Sequence, residues 1–287
     1  MRNWIRVNKQ HRCPICKHDT WCMIAKDDGA ILCMRTESPK SLELASGETG
    51  WIHQQGSEVA TRRREVYAPE PVAGFLDIDA ILRRWSMDTF PAEIGRLGEM
   101  LGVSARSLTW LGVAWSKQHN AWAFPMRDGS GKAVGIRLRA EDGSKWAVTG
   151  SHQGLFIPSY VSGEGPLLMP EGPTDTAALM DLGFDVIGRP SCSGGVREIR
   201  AYLKSHRRDV VIVGDADKAD KNGVKAGERG AESLATALTE AKSVKIIYPL
   251  KGKDARQWKS LGATSGLIKA VIANTRFIPQ RKPITTS

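Results

Sequence analysis

No stretch of this chain approaches the roughly 18 consecutive apolar residues of a membrane-spanning helix. The opening Met1-Arg2-Asn3-Trp4 lacks the apolar core of a signal peptide. These two absences make a cytoplasmic protein with no membrane partner the expectation. Cysteine is scarce: five residues in 287, and beyond Cys33 only Cys192. In a reducing compartment such cysteines stay free thiols unless they bind metal, which excludes a disulfide framework. No Gly-x-x-x-x-Gly-Lys-[Ser/Thr] run occurs, so the chain carries no P-loop motor. Acidic residues are in deficit, 31 Asp+Glu against 41 Lys+Arg for a net charge of +10, and that balance favours a polyanionic partner over an acidic small molecule. The length allows two or three domains and a substantial core.

What cysteine there is falls together. Cys13, Cys16, Cys22 and Cys33 crowd the first 33 residues, and Cys13-Pro14-Ile15-Cys16 is a tight knuckle that can offer two thiolates to one metal. Thr20 to Ala25 and Ala30 to Arg35 predict two strands joined by an Asp27-Asp28-Gly29 turn. Folding that hairpin brings Cys22 and Cys33 opposite each other, beside the knuckle. A segment this short and rich in Gly and charge has too little apolar mass to fold without a staple. The expectation is one structural Zn²⁺ held by all four thiols. The spacing is not that of paired CxxC knuckles, so the alternative stays open that His11 or His18 is a ligand and Cys22 is packed. Cys192 reads as an ordinary buried or loop thiol.

Two acidic clusters close apolar runs. Glu171-Gly172-Pro173-Thr174-Asp175 follows Pro166 to Pro170, and Gly214-Asp215-Ala216-Asp217 follows Val210 to Val213. Such short runs, rich in Val, Leu and Ile and bounded by turn residues, predict buried parallel strands. Adjacent strands would deliver Glu171, Asp215 and Asp217 to one edge, outside the carboxyl ends where α/β proteins bind ligands. Carboxylates crowded together repel unless a cation joins them, and hard oxygen ligands favour Mg²⁺ or Mn²⁺, the ions of phosphoryl and nucleotidyl transfer.

Glu-Gly-x-x-Asp after one strand and Asp-x-Asp after a later one resembles the TOPRIM domain, shared by DnaG-type primases, type IA and type II topoisomerases, OLD-family nucleases and RecR-type proteins. Lys253-Asp254-Ala255-Arg256-Gln257-Trp258 resembles a third TOPRIM-primase motif, with Gln257 standing where many relatives have Asp. Upstream, Pro125-Met126-Arg127-Asp128, then Gly135-Ile136-Arg137-Leu138-Arg139, then Lys145, resemble the small subdomain that precedes TOPRIM in DnaG-type and phage primases. The implied fold class is α/β: a TOPRIM parallel-sheet (Rossmann-like) domain preceded by a small α+β basic subdomain and a β-rich zinc-ribbon module.

Along the chain the expected order is a zinc module over 1–53, closed by a strand at Trp51-Ile52-His53, then a flexible basic linker over 54–74. The Arg62-Arg63-Arg64 run there is either solvated charge or a nucleic-acid contact. Residues 75–160 form the first part of the core. Leu76 to Ser86 and Phe90 to Leu101 have helical spacing, with Asp88 or Thr89 as N-cap of the second and Gly102 as its stop; Ser104 to Leu111 is a short capped helix. Ala121 to Met126, Ala133 to Arg139 and Lys145 to Val148 alternate as strands; Trp115 and Trp122 are packing residues in the simplest view. Residues 161–275 form the TOPRIM part: helix Thr174 to Leu182, strand Asp185 to Ile187, helix Val196 to Leu203, a polar insertion over 218–227, helix Glu228 to Ala241 and strand Val244 to Tyr248. Ser193-Gly194-Gly195 is either a plain turn or a phosphate-accepting helix N-terminus. A basic tail over 276–287 has too little to bury and is expected to be disordered.

The resemblance implies a primase acting on single-stranded DNA with nucleoside triphosphates, supplied with a separate replicative helicase and encoded by a bacterial host, a phage or a plasmid. It implies catalytic roles for Glu171, Asp215 and Asp217, the last two holding Mg²⁺ or Mn²⁺ and Glu171 serving as general base or further ligand. Asp175 and Asp254 are further candidate ligands. Arg137 and Arg139 share one strand face, and with Arg127 and Lys145 they are the candidate contacts to template or nucleotide phosphates. A RecR-type recombination mediator and a TOPRIM nuclease are the alternatives. The first lacks a counterpart of Leu76 to Phe156, and the second is generally paired with an ATPase.

Overall fold

The computed structural model describes residues 4–26, 29–44, 48–54, 76–216 and 226–279. Most of the expected linker (54–74), most of the expected insertion (218–227) together with Asp217, and the expected tail (276–287) from 280 onward lie outside the described residues. The chain divides into two compact units, Met1–Gly74 and Phe75–Ser287.

The first unit is an antiparallel sheet of β1 (Trp4–Arg6), β2 (Met23–Ala25), β3 (Ala30–Cys33), β4 (Ser41–Glu43) and β5 (Thr49–Gln54), in the order β1-β2-β3-β5-β4. The expected hairpin pairs Met23 with Leu32 and Ile24 with Ile31. β1 and β4, of three residues each, are too short for any periodicity to announce them. Val7, Ile31 and three of the four clustered cysteines make up the buried core, which is small for a free-standing sheet.

The second unit holds two sheets. The parallel one comprises β10 (Leu167–Met169), β11 (Asp185–Val186), β12 (Val210–Val213) and β13 (Val244–Ile247), ordered β11-β10-β12-β13. Its side chains alternate between two cores, because successive residues of a strand face opposite sides. Leu168, Val211 and Val213 enter one core with α4 (Gly172–Asp181) and α7 (Ala255–Ser260). Leu167, Met169, Val210 and Ile212 enter the other with α5 (Val196–Ser205) and α6 (Ala226–Ala237). Burial on both faces explains why these strands read as continuous apolar runs.

The antiparallel sheet comprises β6 (Ala114–Ser116), β7 (Ala121–Arg127), β8 (Ala133–Arg139) and β9 (Lys145–Ala147), in that order. Ala121, Ala123, Ile136 and Leu138 pack beneath α1 (Ile78–Met87). On the opposite face Phe124 stands across from Arg137, Trp122 across from Arg139, and Arg139 across from Lys145. Trp122 and Phe124 continue into the core shared with α4, α2 (Pro91–Leu101) and α3 (Ala105–Trp110), which joins the two sheets into one body; α8 (Ser265–Asn274) adds Ile268 to it. Trp115 and Trp122 meet edge to face at 5.1 Å.

Two local expectations are corrected. The N-cap of α2 is Phe90, whose N–H donates to the Glu93 carboxylate at 2.8 Å. Thr89 is occupied elsewhere, its hydroxyl accepting from Trp115 N–H and donating to Trp85 O. The tail also begins later than its composition suggests: Ile278 N–H donates to Val244 O at 2.8 Å, and the Lys245 ammonium lies 4.4 Å above the Phe277 ring.

Candidate functional site

In the first unit the sulfurs of Cys13, Cys16, Cys22 and Cys33 all lie within 4.8 Å of one another. Cys16 and Cys22 are 3.5 Å apart and Cys22 and Cys33 3.9 Å. Four thiolates around a tetrahedral ion with Zn–S near 2.3 Å would stand about 3.8 Å apart, so the donor set fits zinc. Lys17 and Trp21, beside two of the ligands, adopt left-handed backbone, which turns the chain sharply at both. Met34 N–H and Thr36 N–H point at the Cys22 and Cys33 sulfurs at 3.4 and 3.3 Å. Burial tends to raise the Cys16 thiol, but hydrogen bonding to His18 N–H and the neighbouring sulfurs brings it down to about 7, toward the thiolate that a metal needs. The histidine alternatives fall away. His11 is exposed, and His18 is exposed with Nδ1 at 2.8 Å from Cys16 O, while Cys22 is a full member of the cluster.

In the second unit a cavity of about 260 Å³ opens at the carboxyl ends of β10 and β12, and Glu171, Asp175, Asp215 and Asp254 line it. Glu171 is the last residue before α4 and is held through its neighbours: Arg189 N–H donates to Pro170 O, and Gly172 N–H to Arg189 O, at 2.8 and 2.7 Å. Asp215 is held in the same manner, with Gly214 N–H on Ile247 O and Ala216 N–H on Lys253 O at 3.0 and 2.7 Å. Asp254 caps α7 by accepting Gln257 N–H at 2.7 Å, and the Gln257 side chain accepts Lys253 N–H at 3.0 Å. Gln257, the departure from the motif, thus ties the residue before the cap to the first turn of α7.

Asp175 is 8 % exposed, in the first turn of α4. Burial, then the negative charge of Asp254 and, after the opposing Arg256 N–H bond, that of Asp215, push its carboxyl up to about 7. A carboxyl raised by burial and then by like charges marks a place where a cation would be stabilised. Among the described residues no three carboxylates of this rim approach as closely as the four thiols do.

The facing wall is basic. Arg137, Arg139 and Lys145 line the cavity from the antiparallel sheet together with Phe124; Lys253 and Arg256 line it from the α7 side. Burial lowers the pKa of all three residues on the sheet; Glu171 opposes the fall at Arg137, and Arg256 adds to it at Arg139. Among the described residues Arg139 Nε is buried without a hydrogen-bond partner. Arg127 is not brought to this cavity: its guanidinium donates to Gly131 O at 3.0 Å.

Arg189 gave no signal in the sequence. It is 1 % exposed, beneath the acidic rim, and it stands in a Gly-Arg-Pro stretch after a short strand that reads as an ordinary exposed loop. Arg256 was quoted within its motif without a role, yet it lines the cavity and its N–H binds Asp175.

The fold of this chain is that of the DnaG primase catalytic core. A DnaG primase catalytic domain bound to ssDNA superposes with a TM-score of 0.53 at 14% identity, covering 69% of this chain and 77% of that one. The E. coli primase catalytic core gives 0.52 at 14%, covering 69% and 79%. The zinc-binding and RNA polymerase domains of the Aquifex aeolicus primase give 0.54 at 14%, covering 70% and 60%. No family model matches the sequence, and no curated protein does.

Proposed function

We propose that this chain is a DNA primase, a nucleotidyl transferase that joins ribonucleotides into short primers on single-stranded DNA. The observation that carries this reading is one cavity, on a DnaG-core fold, with an acidic rim facing a basic wall. The donor chemistry fits Mg²⁺ or Mn²⁺, to be held by Glu171 and Asp215 with Asp217, and by Asp175 and Asp254 where a second ion binds. When bound, such an ion supplies charge neutralisation at the phosphate oxygens of the triphosphate.

The protein's own residues do the rest. Arg137, Arg139 and Lys145 neutralise triphosphate or template phosphates, and the unpartnered Nε of Arg139 is a donor ready for one of those oxygens. Glu171, whose neighbours are hydrogen-bonded on both sides, would take the proton of the attacking 3′-hydroxyl. Arg127, tied to Gly131, is left for contacts outside this cavity. The four-cysteine unit, with one zinc, supports recognition of a start sequence on the template. A replicative helicase is the partner that would open the duplex.

The test is to incubate the full chain with labelled ribonucleoside triphosphates, Mg²⁺ or Mn²⁺, and single-stranded DNA of mixed sequence. New short oligonucleotides are expected. Shortened template would instead identify a nuclease, and a shifted gel with no product a recombination mediator.

A further inference from the structure

The least expected charge in the second unit is Arg189, buried beside a rim of carboxylates, its hydrogen bonds among the described residues all going to main-chain oxygens. Its guanidinium is spent on main-chain carbonyls. Nε donates to Met169 O at 3.0 Å, one nitrogen of the fork to Val213 O at 3.1 Å, and the other to Cys192 O at 2.6 Å and Ser191 O at 3.4 Å. Met169 ends β10 and Val213 ends β12. Glu171 and Asp215 each follow two residues later. The backbone of Arg189 also brackets Glu171, through Pro170 O and Gly172 N–H.

We propose that Arg189 is the positioning residue of the acidic rim: its planar fork, bridging the carboxyl ends of β10 and β12, sets the separation between Glu171 and Asp215. The inference rests on the proposed function, since it assigns the rim to cation binding.

The geometry requires arginine. A guanidinium carries five donors in a rigid plane and reaches three directions at once, whereas an ammonium is a single point on a flexible stem and cannot span two strand ends. Burial of a lone cation is costly unless charge compensates it; burial lowers the pKa of Arg189, and Glu171, then Cys192, Asp215 and Tyr248 oppose that fall. The same attraction acts in reverse on the rim, because a fixed positive charge underneath offsets the mutual repulsion of Glu171 and Asp215 before any cation arrives. A site assembled in advance binds without first ordering its ligands. Local electrostatics alone would make a buried cation oppose divalent-ion binding, so geometry and charge predict opposite signs for its replacement.

That opposition gives the test. Mn²⁺ is titrated into the full chain and free Mn²⁺ followed by electron paramagnetic resonance, for wild type, Arg189→Lys and Asp215→Asn. Loss of the Mn²⁺ site in Asp215→Asn, with at least about tenfold weaker binding in a folded Arg189→Lys, is the expected result. Arg189→Lys binding as tightly as wild type, or tighter, overturns the positioning role. A wild type that binds no Mn²⁺, or a site indifferent to Asp215→Asn, overturns the metal reading of the rim instead. Where Arg189→Lys does not fold, Arg189→Gln, which keeps a single donor, takes its place under the same criteria. Failure of both to fold overturns the proposal by making Arg189 a requirement of the fold as a whole. Primer synthesis adds a second axis: the positioning role expects kcat to fall with little change in nucleotide KM.

Discussion

The backbone N–H of Arg256 donates to Asp175 Oδ1 at 2.8 Å, joining the start of α7 to the first turn of α4 across 81 residues of sequence. An asparagine keeps that acceptor and removes the charge. The folded carboxyl stands at about 7, above its unfolded value near 4. The native state therefore binds the proton more readily, and stability falls as pH rises through that window. Asp175→Asn is expected to melt higher than wild type at pH 8 in buffer freed of Mg²⁺ and Mn²⁺, by roughly 1–3 kcal/mol. The advantage should shrink by pH 5, and the rise in Tm on adding Mg²⁺ should be smaller than in wild type. Equal melting of the two proteins at both pH values would contradict the crowding of charge at this rim.

Asp181 gives the opposite sign. Burial pushes its carboxyl up, but the Lys259 ammonium, the hydroxyls of Ser104 and Ser107 and the N–H of Ser104 outweigh it and hold the pKa below the usual range. Its contribution is present above about pH 4 and is lost as pH falls through the folded value. Asp181→Asn should cost about 1–2 kcal/mol at pH 7, the partial exposure of Lys259 keeping the figure low. Urea melts of the two proteins should converge near pH 3.

Metal content is the simplest check on the first unit. Reduced protein should carry about one zinc per chain, released when the four thiols are modified. In Cys33→Ser zinc should be lost and proteases should cut within residues 4–54 while 76–279 stays protected. Full zinc retention in that variant would remove Cys33 from the ligand set.

The two walls of the cavity should separate by assay. Asp215→Ala should lower primer synthesis by about a thousandfold or more while single-stranded DNA still binds. Arg139→Ala should weaken binding of DNA or triphosphate, and the slope of log K against log salt should fall by about one unit. A binding loss in Asp215→Ala as large as that in Arg139→Ala would point to a structural role for the acid.

Strands buried on both faces were legible because they must be apolar throughout, and so Val210–Val213 and its acidic sequel stood out. The shared face of Arg137 and Arg139 followed from strand alternation alone; Lys145, named from the motif, stands opposite Arg139 in the register of β8 and β9. Arg189 was illegible for the converse reason. Local sequence carries no mark of a guanidinium whose partners are main-chain carbonyls of its own loop and of two distant strand ends. Arg127 shows the limit of motif reading: it matches its motif, yet it bonds within its own hairpin.

Gly172 follows Glu171 with φ at +77°, and a side chain there would touch nothing within 4 Å. The restriction at this position is therefore one of handedness rather than of space. An alanine at 172 would therefore act through backbone strain alone, loosening the turn that carries Glu171 without pushing any neighbour aside.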